Sequence, residues 1–84
     1  MLTGAQIRAA RGLVRWSAAE LARRAGLGIS TIQRMEKSDG VPTASANNLA
    51  AVQKAFEAAG VAFIPENGGG PGLRFSKGLA DKPG

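Results

Sequence analysis

Residues 21–36 read LARRAGLGISTIQRME, two short runs with apolar residues at helical spacing around a turn that holds Gly26 and Gly28. Leu21, Ala22 and Ala25 mark the buried side of one helix, and Ile32 and Met35 mark that of the next. Two helices joined by a few residues with a glycine in the turn make a helix-turn-helix pair. The small side chains of Ala22 and Ala25 let the second helix come close to the first. Leu27 looks inward from the turn, and Ile32 anchors the second helix to the first.

This packing decides what stays outside. With Ile32 and Met35 turned inward, the second helix of the pair shows Ile29, Ser30, Gln33, Arg34 and Lys37 on its other side. Ser30 and Arg34 are i, i+4 neighbours on one ridge, and Ile29 and Gln33 share the adjacent ridge. These are suitable types for reading base edges in a duplex: arginine forks onto guanine, glutamine onto adenine, and an aliphatic tip meets a thymine methyl. The start of the same helix offers unpaired amides and the positive end of a dipole, and Gly28 admits a close backbone approach there. Ser17, Ala18 and Ala19 offer the same at the start of the preceding helix. Each residue also has a plainer role: Ile29 half-buried, Gln33 merely solvated, Arg23 and Arg24 inert surface charge. Beside a helix that enters DNA, the two arginines are instead phosphate neighbours. The set is more specific than any member.

The charge is distributed to match. Residues 1–37 hold seven basic side chains against two acidic ones, and the rest of the chain is neutral, so the whole net charge of +5 lies in the part that contains the pair. A localised basic excess is the footprint of a polyanion binder. The chain has no histidine and no cysteine. The commonest general base and the commonest metal ligand are therefore both missing, as are thiolate sites and disulfides. No carboxylates pair at useful spacing, which leaves an enzyme as the weakest reading and implies neither cofactor nor metal. No run approaches the length of a membrane span, and the N-terminus lacks a signal-peptide layout, so a cytoplasmic protein is expected. At 84 residues the core is marginal, and burial in an oligomer would help.

Along the chain, Thr3 can cap a first helix to about Arg15, with Ile7, Ala10 and Val14 on one face. Ser17 and Glu20 form a capping-box pattern for the second helix, which stops at Gly26. The third runs from after Gly28 to near Lys37, and Ser38–Pro42 is a loop. Thr43 or Ser45 caps a fourth helix with the stripe Leu49, Val52, Phe56 and Ala59, closed by Gly60. Beyond it, Val61–Ile64 and Leu73–Ser76 read as short strands around the glycine-rich PENGGGPG. The expected fold is mainly α: a compact four-helix domain over residues 1–60, a hairpin or extended segment over 61–77, and a flexible tail over 78–84. The glycine-rich stretch lacks the Gly-Lys-Ser/Thr of a phosphate-binding loop and reads as a connection. An isolated two-stranded hairpin is only marginally stable, so it either folds back onto the fourth helix or pairs with a second copy. Homodimerisation through Val61, Phe63, Ile64, Leu73 and Phe75 is the expectation.

From about Ile7 to Gly60, the stretch IRAARGLVRWSAAELARRAGLGISTIQRMEKSDGVP and the Leu49–Val52–Phe56 helix resemble the phage-repressor-type regulators, the Cro-like or XRE family. The resemblance implies a bacterial transcription factor, most simply a repressor, that binds a near-palindromic operator in double-stranded DNA as a homodimer, with its third helix in the major groove. The family's base readers fall on Ile29, Ser30 and Arg34, with Thr31 and Gln33 nearby. Its phosphate contacts fall on Ala18 and Gly28, with Ser17, Arg23, Arg24, Thr31 and Lys37 around them. An arginine of the first helix often bridges a glutamate ending the third, which matches Arg11 and Glu36 as a structural ion pair. Ala18 stands where members often carry glutamine, Gly28 replaces the usual serine or threonine, and VAFIPENGGGPGLRFSK stands in for a fifth helix. A second reading is an antitoxin-like module that autoregulates its operon and holds a protein partner through the C-terminal segment.

Overall fold

A computed structural model describes residues 2–64, 69, 70 and 72–75. Four helices, α1 (Gly4–Val14), α2 (Ala18–Ala25), α3 (Ile29–Glu36) and α4 (Ala46–Ala58), precede an antiparallel pair of strands, β1 (Val61–Ile64) and β2 (Gly72–Phe75). The architecture is the mainly helical, four-helix fold with a C-terminal hairpin. Among the described residues, no helix is long and apolar enough to cross a membrane.

Local chemistry sets the helix ends. The Thr3 hydroxyl accepts the Gln6 N–H at 3.1 Å while the Gln6 side-chain oxygen accepts the Thr3 N–H at 2.9 Å, a complete capping box. At α2 only half of that device forms. Ser17 Oγ accepts the Glu20 N–H at 3.0 Å, but the Glu20 carboxylate turns away to two arginines. Of the two candidate caps for α4, Ser45 takes the role by accepting the Asn48 N–H at 3.1 Å. Gly26 ends α2 with φ 70°, and Arg15 ends α1 with φ 61°, the left-handed conformation that glycine adopts most easily.

All four helices contribute to one core. Ile7, Leu21, Ile32, Met35, Val52, Phe56 and Val61 are its largest fully buried side chains. Trp16 stacks on Phe56 with ring centroids 5.3 Å apart, and Phe63 meets the same ring edge-on at 5.8 Å. The start of α1 lies tight against the end of α3. Gly4 donates its N–H to the Gly40 carbonyl at 2.9 Å, and a Cβ on Gly4 would sit 1.8 Å from the Ser38 carbonyl oxygen.

The hairpin folds back on this core. Val61 pairs with Phe75 and Phe63 with Leu73, so the four apolar side chains share a face as their alternation requires. Phe63 and Leu73 pack against the core, and the Gln6 side-chain amide donates to the Gly72 carbonyl at 2.8 Å, fastening β2 to α1. This corrects the expectation for Val61 as a dimer residue: it is 1% exposed and its side chain is spent inside its own chain. The chain's own core offers apolar contact without the entropy of bringing in a second molecule. Ile64 and Phe75 remain exposed. The strand begins one residue earlier than expected, at Gly72. Ser76, the 78–84 tail and most of the glycine-rich connection lie outside the described residues.

Two glycines of α1 give opposite expectations. Gly4→Ala drives a methyl into backbone atoms that cannot rotate away and is expected to cost about 3 kcal/mol or more. Gly12 has open space around its position, so Gly12→Ala should gain about 0.5–1 kcal/mol. Thermal unfolding followed by circular dichroism checks both; equal effects would mean that the approach of α1 to residue 38 is not as tight as described.

Candidate nucleic-acid interface

An eight-residue helix such as α3 is too short to hold itself together in water, so its outer face is defined by what grips its inner face. Ile32 and Met35 are 0% and 1% exposed. On the other side Ile29, Ser30, Gln33, Arg34 and Lys37 are exposed, and Thr31 is half-buried at the margin. Ile29 is 45% exposed, a large aliphatic side chain left in water at the first position of the helix. None of the described residues covers this ridge.

The ends of α3 are treated differently. Gly28 supplies no side-chain cap at the start, so the amides of Ile29 and Ser30 have no helical carbonyl before them and no hydroxyl across them. A Cβ at Gly28 would have only Ser30 Oγ within reach, at 4.0 Å, which leaves the approach to those amides open. The far end is clamped. Arg11 donates from Nε to Glu36 Oε2 at 2.7 Å and from Nη2 to Glu36 Oε1 at 3.0 Å, and its Nη1 reaches the Trp16 carbonyl at 3.0 Å. One partly buried guanidinium thus ties α1, the turn before α2 and the last turn of α3. The Glu36 hydrogen bonds raise the Arg11 pKa further, against the opposing effect of burial. Arg8 adds a second clamp, donating to the Glu36 carbonyl and to Asp39.

The helix-turn-helix domain family matches residues 3–61, from the cap of α1 to the first residue of β1. The chain belongs to that family. No curated protein matches the chain. Membership makes DNA the indicated partner and points to a DNA-binding regulator. Among the described residues of this helix-turn-helix domain, no group of acidic side chains gathers closely enough to hold a metal ion.

The arginines of α2 are placed in a way that the sequence does not announce. Arg23 Nη2 and Arg24 Nε both lie 2.6 Å from Glu20 Oε2, and the Arg24 guanidinium sits 4.4 Å from the centre of the Trp16 ring. The two side chains expected to neighbour phosphate therefore already have partners within the helix-turn-helix domain. Ser17 is exposed and Ala18 half-buried at the start of α2, beside this cluster. Trp16 and Arg8 escaped sequence reasoning. Their signals were present: Trp16 directly precedes a capping serine, and Arg8 lies three residues before Arg11, on the same face of α1.

Hydrogen bonds from Arg23 and then Arg24 pull the Glu20 carboxyl down to about 2 from an ordinary value of 4.5. Because the folded value is the lower one, the contribution of this cluster is complete above about pH 4.5 and is lost as the pH falls towards about 2. Carbon-detected NMR of the Glu20 carboxyl should show a midpoint near 2. A midpoint at the ordinary glutamate value would show that neither arginine holds it.

Proposed function

We propose that this helix-turn-helix domain is a sequence-specific transcriptional regulator of the phage-repressor type, Cro-like or XRE, that represses by binding an inverted-repeat operator as a homodimer. The observation that carries the proposal is the exposed ridge of α3, gripped from behind by Ile32 and Met35 and clamped at its end by Arg11 and Arg8. A rigid rod with one bare face of mixed aliphatic, hydroxyl, amide and guanidinium groups suits the floor of a major groove.

In this scheme Ile29, Ser30, Gln33 and Arg34 read base edges, with Arg34 forking onto a guanine. Gly28, Thr31 and Lys37 meet phosphates around α3, and Ser17 and Ala18 meet them at the start of α2. Arg23 and Arg24 contribute field from their positions on Glu20. Two copies place their third helices in successive major grooves about 34 Å apart. The remaining exposed apolar residues of the hairpin, Ile64 and Phe75, and its open strand edges form the contact between copies, with Phe63 and Leu73 behind them. Val61 supports that contact from within the core.

Footprinting against the DNA just upstream of the protein's own gene should protect a short inverted repeat, and the absence of any protected site there would count against autoregulation. On the protected sequence, Arg34→Ala should weaken binding by about 1–3 kcal/mol and relax selectivity at one base position. Uniform weakening across all sequences would make Arg34 a phosphate ligand instead.

A further inference from the structure

Among the described residues, the basic side chains of the first three helices fall into two groups. Arg8 is bound to Asp39, Arg11 to Glu36, and Arg23 and Arg24 to Glu20. Arg15, Arg34 and Lys37 have no acidic partner among the described residues. Arg34 and Lys37 stand on the exposed side of α3. Arg15 stands elsewhere, in the turn between α1 and α2, where sequence reasoning gives it no role.

Its backbone makes Arg15 unusual. With φ 61° and ψ 39° it is the one described residue other than glycine with positive φ. The turn demands this conformation, because the Arg15 and Trp16 amides both return to the Arg11 carbonyl to close α1. Glycine is the ordinary occupant of such a position and would adopt it without the crowding a Cβ brings. Among the described residues, none forms an ion pair with this side chain that would offset the cost. An exposed, unpaired arginine held in a strained conformation is a residue whose benefit lies outside the molecule.

The surroundings say where. Trp16 follows Arg15, its carbonyl is held by Arg11, and the same guanidinium holds Glu36 at the end of α3. The turn that carries Arg15 is therefore fixed relative to α3. Ser17, the first residue of the proposed α2 phosphate contact, comes two residues later, within reach of an extended arginine side chain. We propose that Arg15 is a DNA phosphate ligand, supplying at the α1–α2 turn the mobile cation that Arg23 and Arg24, bound to Glu20, do not.

This rests on the DNA-binding reading, and its test separates the two. Stability and affinity should move in opposite directions in Arg15→Gly. The variant should melt at the same temperature as the wild type or higher, because strain is relieved. Its affinity for a short mixed-sequence duplex, measured by fluorescence anisotropy, should fall about fivefold, and its log K against log salt slope should shrink by about 0.9 between about 50 and about 200 mM. Arg15→Lys should keep most of the slope. An Arg15→Gly variant that folds and binds with the wild-type affinity and slope would overturn the assignment. Failure of the wild type itself to bind the duplex would instead overturn the DNA-binding reading, and the assignment with it.

Discussion

Ile32 and Met35 hold in place a two-turn helix that has no stability of its own in water, and every other feature of the proposed DNA face depends on that grip. Because the two side chains lie on one side of α3, their burial determines which residues point out: Ile29, Ser30, Gln33 and Arg34 are exposed by geometry as much as by polarity. The Arg11–Glu36 pair then fixes the helix along its axis, and Arg8 closes its last carbonyl. Truncating Ile32 would remove more than one side chain's contacts, since the helix would lose one of the two side chains that hold it against the core.

The protein separates arginines that build from those proposed to bind. Arg8 and Arg11 join α1 to the end of α3, and Arg23 and Arg24 share one carboxylate on α2. The exposed pairs among these, Arg8 with Asp39 and Arg23 and Arg24 with Glu20, add little stability in water. Their larger effect here is on the field. Glu20 neutralises part of the positive charge beside the start of α2, which lowers non-specific attraction to any polyanion while leaving the cations of α3 bare. In the proposed sequence-specific binding, selectivity would gain from that contrast, because phosphate attraction alone does not discriminate.

The helical part of the fold was legible because its signals are local. Thr3, Ser17 and Ser45 cap helices, Gly26 ends α2, and the 3.6-residue stripes name core residues from Ile7 to Phe56. Interactions that depend on distant parts of the chain were not legible. Nothing around Gly4 indicates that the Ser38 carbonyl lies against it, and an arginine at position 15 gives no hint of a left-handed backbone. Ser17 and Glu20 match a capping box in sequence, yet the carboxylate goes to Arg23 and Arg24, since charged partners outbid a neutral amide. The hairpin shows the limit most clearly. Val61, Phe63, Leu73 and Phe75 alternate correctly for one apolar face, but alternation says only that the face is covered, and both the chain's own α4 and a second copy would satisfy it. The structure buries Val61 in the chain's own core, sets Phe63 against Phe56 of α4 and leaves Phe75 exposed.

The central claim is that the bare ridge of α3, with the turn that leads into α2, is the surface that meets DNA. Amide chemical-shift mapping tests it most directly, by titrating the labelled full-length protein with a duplex taken from the region upstream of its own gene. The account predicts the largest perturbations at residues 15–19 and 28–37, with β1 and β2 shifting little at constant protein concentration. Perturbations confined to residues 61–64 and 72–75, with Ile29, Ser30, Gln33 and Arg34 unchanged, would contradict it.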